Sequence, residues 1–172
     1  MLARFESVDL EHRAEWLHEL REALLQHEVA EEIAVYPSLQ GVSRSWDQVI
    51  AALTTEQTEA KISLDELEGA DVASDAFQEA YLRLRGGVRA HAGKEEATIF
   101  RFIKAGLTNS ERGEMGRSYE MARGGSPPMG APEPDATPGN GMVRPLTALT
   151  ERIRQVFRTD DDLWQELSTK RT

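Results

Sequence analysis

Apolar side chains between residues 9 and 36 fall at spacings of mostly three and four. Trp16, Leu17, Leu20 and Leu24 begin a stripe that His27, Glu31 and Val35 continue. That period places them on one face of an α-helix. Asp9 precedes the stripe as a candidate N-cap, and Pro37 and Gly41 close it. A second stripe, Ile50, Leu53, Gln57, Ala60, Leu64 and Leu67, predicts a helix over about 46–68. Ser43 or Ser45 would cap it and Gly69 would end it. A third stripe runs through Phe77, Tyr81, Leu84, Val88, His91, Glu95, Ile99 and Phe102, in a helix from Ser74 or Asp75 to about 104. Gly86 and Gly87 sit inside it, each costing roughly 1 kcal/mol relative to Ala. They would permit a kink or the close approach of a neighbour.

Past this point the pattern weakens. Residues 108–122 read as a short helix capped by Thr108 or Ser110, and 124–141 are too rich in Gly and Pro to hold one. Amphipathic spacing resumes at 145–157, and a last helix starts after Thr159, over about 160–168. No segment alternates with period two for long enough to predict a strand. The expectation is an all-α chain: an up-and-down antiparallel helical bundle over 1–107, then a C-terminal helical extension over 108–172.

The polar residues on those stripes carry the chemistry. His27, Glu31, Glu32 and Tyr36 are repeated as His91, Glu95, Glu96 and Phe100, at an offset of 64 positions. Residues four apart share a helix face, so His27 points with Glu31 and His91 with Glu95. One such pair is ordinarily a surface pair worth a few tenths of a kcal/mol. Two copies on apolar stripes argue for a shared interior site, because a buried carboxylate is costly unless paired, hydrogen-bonded or bound to a cation. Imidazole and carboxylate together suit iron, manganese or zinc. Glu32 and Glu96 lie one residue further round, as supporting or alternate ligands. Gln57 is unusual on an apolar stripe, and with Glu56 it could reach the same centre. His12 and His18 read as solvated. The spacing is not that of zinc proteases, and no nucleophile arrangement accompanies it.

Composition narrows the alternatives. The chain has 172 residues, a formal charge of −10, 40% hydrophobic residues and no cysteine. An acidic surface repels phosphate, which argues against nucleic acid. No apolar run is long enough to span a bilayer, and the start lacks the order of a secretory signal. Without cysteine there is no disulfide, thiolate site or iron–sulfur cluster, in keeping with a reducing cytoplasm.

The sequence resembles the hemerythrin-like, HHE cation-binding family over roughly residues 1–105. "LREALLQHEVAEEIAVYPSL" resembles the family's second helix, "EQTEAKISLDELEG" its third and "LRGGVRAHAGKEEATIF" its fourth. The tail resembles extensions of bacterial members. The resemblance implies a four-helix bundle holding non-haem iron, mono- or di-iron, with His27, Glu31, His91 and Glu95 as ligands. It also implies binding or sensing of O2, NO or iron, or metal storage. Where the family usually has Glu-His in its third helix, this chain has Glu56 and Gln57. "MLARFESVD" reads as only the end of the family's first helix, and the histidine that helix supplies has no counterpart.

The expected function is therefore binding of iron, or else manganese or zinc, and through it of O2 or NO, with no catalysis assigned. The rival is a metal-free helical interaction module that keeps the bundle. A carboxylate-bridged oxidase or peroxidase is a third reading. A shortened first helix would leave a groove exposing Trp16, Leu24, Leu53 or Leu84, to be covered by the 145–157 helix or by a homodimer partner.

Overall fold

The computed structural model of the chain describes residues 8–9 and 12–124. Among them every regular element is helical and no strand occurs, the all-α helical bundle that the three stripes predict. Helix α1 spans Arg13–Ala34, α2 Tyr36–Leu39, α3 Arg44–Gly69 and α4 Asp75–Glu95. A π-helical turn, Glu96–Phe100, leads into α5, Arg101–Gly106, and α6 follows at Asn109–Ala122. The expected loop after residue 124, the two tail helices and the remnant of a first helix lie outside the described residues.

Local chemistry explains most boundaries. Pro37 does not end α1, which stops at Ala34. It stands in the first turn of α2, where its missing N–H costs nothing. Gly41 takes a φ of +74°, and its N–H donates to Asp47 Oδ1 at 2.8 Å. Ser43 is the residue that caps α3, its Oγ accepting from the Trp46 N–H at 3.3 Å. Ser74 does the same for Phe77 at the start of α4, at 3.2 Å. Helix α4 runs straight through Gly86 and Gly87. A Cβ at either would meet nothing within 4 Å, so no neighbour makes the close approach that the glycines would permit.

The helix expected over 75–104 is three pieces joined end to end. The widened turn begins directly after Glu95. There the Thr98 hydroxyl donates to the Lys94 carbonyl at 2.6 Å, as Thr55, Thr58 and Ser63 donate four residues back within the regular helix α3.

The chain divides into two compact units. The first comprises Met1–Glu28 and Ala51–Arg101. Its core is Trp16, Leu17 and Leu20 of α1, Leu64 and Leu67 of α3, and Phe77, Ala80, Tyr81 and Leu84 of α4. Each large apolar side chain so buried contributes about 1.5–3 kcal/mol. Trp16 meets Tyr81 edge to face, centroids 6.2 Å apart. Polar contacts fix the helix directions. Arg13 donates to the Val72 carbonyl, Arg21 pairs with Asp65 and Glu68, and Lys61 pairs with Glu28. The order is reversed along the two helices, so α1 and α3 are antiparallel. Arg83 pairs with Glu66 and Lys94 with Glu56, which makes α3 and α4 antiparallel too. Trp16, Leu53 and Leu84 are buried and Leu24 packs half-buried on the core, while the 145–157 helix expected to cover them lies outside the described residues.

The second unit comprises Val29–Ile50 and Phe102–Thr172, described as far as residue 124. Its buried apolar residues include Val35, Tyr36, Leu39, Trp46, Phe102, Ile103 and Leu107. Trp46 and Phe102 pack with their rings tilted by 48° and centroids 4.4 Å apart. Thr108 and Glu111 form a reciprocal capping box that starts α6.

Candidate metal centre

Helix α1 presents His27, Glu28 and Glu31 in little more than one turn. His27 is half-buried, while Glu28 and Glu31 are 3% and 0% exposed. Helix α3 brings Glu56, half-buried, and Gln57, buried at 2% exposure. Helix α4 brings His91 and Glu95, both buried, with Lys94 between them in sequence and largely in solvent.

His27, Glu31 and Glu95 each offer a ligand atom, and the three atoms lie within 4.8 Å of one another. Metal ions hold nitrogen and oxygen donors at roughly 2.0–2.2 Å, and so up to about 4.4 Å apart across the ion. The group therefore fits one cation after a rotamer adjustment. Glu31 is held from a further side: the Tyr36 hydroxyl donates to its Oε2 at 3.4 Å, both groups buried.

His91 is engaged differently from its counterpart in the repeat. Its Nδ1 lies 3.3 Å from Glu56 Oε2, and its Nε2 lies 3.6 Å from Glu95 Oε1. Glu56 in turn carries an ion pair with Lys94. The neighbouring Glu28 pairs with Lys61 Nζ at 3.0 Å.

A small cavity of about 40 Å³ is bordered by His27, Glu28, Glu56, Gln57 and His91, with Leu24 and Val88 as apolar wall. Space of 10–15 Å³ suffices for one water, so the cavity accommodates a small molecule. Glu56, Ala60 and Gly87 border both this cavity and an open groove of about 440 Å³ on α3 and α4.

Of the residues singled out by the sequence, His27 and His91 border one cavity, as does Gln57. Glu32 and Glu96 are exposed, each turned one position away from its buried neighbour. His12 and His18 are exposed as well. Sequence reasoning missed Glu28, Lys61, Lys94 and the role of Tyr36. For Glu28 and Lys61 a signal existed: they stand four residues after Leu24 and Gln57, and so on the same helix faces.

No described helix is long and apolar enough to cross a membrane. No curated protein and no solved structure matches the chain. The model of one family, the hemerythrin HHE cation binding domain, matches residues 1–103. That match takes in α1, α3, α4 and every residue of the histidine and carboxylate cluster, and the chain belongs to the hemerythrin HHE cation-binding domain family.

Proposed function

We propose that this protein holds a redox-active cation, iron foremost, on His27, Glu31 and Glu95 with His91 alongside, and uses it to bind or sense a diatomic molecule such as O2 or NO. The convergence of one imidazole and two carboxylates, on a chain of a cation-binding family, carries the reading. The donor set is hard to borderline and lacks any thiolate, which suits iron, with manganese and zinc as alternatives. Ferrous iron, when bound, supplies the electrons that stabilise a diatomic ligand.

The chain's own groups do the rest. Tyr36 fixes the rotation of the Glu31 carboxylate through its hydroxyl. His91 steadies Glu95 from the same helix, one turn before it. The cavity of about 40 Å³ gives a small ligand room beside both histidines, and Leu24 and Val88 keep part of its wall apolar. Ala60 and Gly87 are small, and they stand where that cavity adjoins the groove, a route for a small molecule. The reading is one of binding rather than turnover, in a reducing cytoplasm.

The metal-free interaction module keeps one observation in its favour. Lys61 and Lys94 already bring positive charge to two of the cavity's carboxylates. Metal analysis separates the two readings. Protein purified anaerobically with ferrous iron supplied should carry iron, and the His27→Ala and Glu95→Gln variants should lose it. A wild-type chain that retains neither iron, manganese nor zinc refutes the proposal in favour of the module.

A further inference from the structure

The outer face that α3 and α4 share within the first unit is divided by charge. The groove of about 440 Å³ runs between the two helices, and Ala60, Ser63, Gly87 and Ala90 are too small to fill it. Its α3 rim carries Glu56, Glu59 and Glu66. On the α4 side stand Arg83, Arg89 and Lys94, and no acidic residue falls between Ala80 and Lys94. Arg83–Glu66 and Lys94–Glu56 bridge the groove at its two ends. Between the bridges, Glu59 and Arg89 are exposed and make no ion pair among the described residues.

The bridges also fix the register. Arg83 is level with Glu66 and Lys94 with Glu56, which puts Ile62 level with Gly87, and Glu59 within two residues of the level of Arg89. Ile62 is 54% exposed, and Leu82 on α4 is 52% exposed. Gly86 and Gly87 are exposed as well, and a Cβ at either would meet nothing within 4 Å. One surface thus holds a protruding branched side chain and, level with it, bare backbone. It also holds an acidic helix beside a basic one. Each feature matches another on the same surface, which selects a second copy of this chain as occupant.

We propose that this face joins two copies in a two-fold dimer, α3 of each lying on α4 of the other. A two-fold axis running along the groove does this and keeps every residue at its own level. Ile62 of one copy then sits over Gly86 and Gly87 of the second copy, and Glu59 comes within side-chain reach of Arg89 of the second copy. An axis across the groove would instead set acid on acid and base on base, which repulsion disfavours. The pairing covers the groove, so the route past Ala60 and Gly87 is open in the single chain. It needs no bound cation.

The test uses the full chain, metal-free, in sedimentation velocity over a concentration series at low salt. Wild type should pass from monomer to dimer mass as concentration rises, and added salt should reverse this. Ile62→Asp, Glu59→Arg and Arg89→Glu should each weaken the dimer about tenfold or more. The charge-swapped chain carrying both Glu59→Arg and Arg89→Glu should return to within about threefold of wild type. All three positions are exposed, so melting temperatures should hold. The chain has no cysteine, so Ile62→Cys mixed with Gly86→Cys reads the register directly. The mixture should form disulfide-linked dimers faster than Ile62→Cys alone, and the opposite order overturns the axis. A monomer at every concentration overturns the proposal. A dimer that survives Ile62→Asp, or a charge-swapped chain no tighter than Glu59→Arg, overturns it as well. None of these results bears on cation binding.

Discussion

Glu28 gives the sharpest stability test, because burial and charge conflict there. Its side chain is 5% exposed and 3.0 Å from Lys61 Nζ, whose own side chain is 39% exposed. At an effective dielectric of about 20, unit charges at that distance attract by roughly 5 kcal/mol before any cost is counted. Water reaching the ammonium screens part of this. Desolvation of the carboxylate takes a further part. In Lys61→Met the carboxylate stays buried and loses the Lys61 ammonium. The expected cost is about 2–3 kcal/mol, below the 3–5 kcal/mol typical of a wholly buried pair. Glu28→Gln should cost less, since the lysine it leaves behind can turn to solvent. The double variant Glu28→Gln, Lys61→Met should lie within about 1 kcal/mol of wild type, because both charges of this pair are gone together. Urea denaturation followed by circular dichroism, on metal-free protein, gives all four corners of the cycle. If Lys61→Met costs no more than the double variant, the pair is a surface contact and the burial argument is wrong.

Further outcomes follow from other parts of the chain. Ferrous iron or Mn(II) at a hundredfold excess over its dissociation constant should add about 2.7 kcal/mol to the unfolding free energy; an unchanged melting temperature with iron, manganese and zinc would refute the cation site. Trp46→Ala removes a side chain 2% exposed and packed against Phe102, and should cost about 3–5 kcal/mol by urea melts; a cost under 1 kcal/mol would mean this core is not packed as described. Thr108→Ala breaks the capping box at α6 and should cost about 1 kcal/mol, seen as faster amide exchange in the first turn of that helix. Gly87→Leu should slow NO binding to the iron-loaded protein without lowering its melting temperature, and an unchanged association rate would rule out entry past Gly87.

Periodicity made the three long helices legible. Stripes through Leu20, Leu64 and Leu84 are what the first unit buries, and short polar caps at Ser43, Ser74 and Thr108 set the starts. The π-helical turn after Glu95 was not legible. Its stripe, Glu95 to Ile99 to Phe102, has ordinary spacing, and nothing in that spacing marks a widened turn. Pro37 misled for a related reason. Proline ends a helix only in its interior, and here the chain had already stopped α1 at Ala34 and begun another turn.

The repeat itself shows where spacing stops being informative. Four-residue separation guarantees that His27 sides with Glu31 and His91 with Glu95, and nothing more. What each histidine then does depends on the helix across from it. Antiparallel pairing of α1 with α3 sets Lys61 against Glu28, next in sequence to His27. Antiparallel pairing of α3 with α4 sets Glu56 against both His91 and Lys94. Two copies of one motif thus meet different neighbours and acquire different tasks: His27 joins a three-donor group, and His91 is tied to a carboxylate that an ammonium also holds. The difference between them is written in Lys94 and Glu56, residues of the commonest solvent-facing types. It becomes readable only once the register between helices is known.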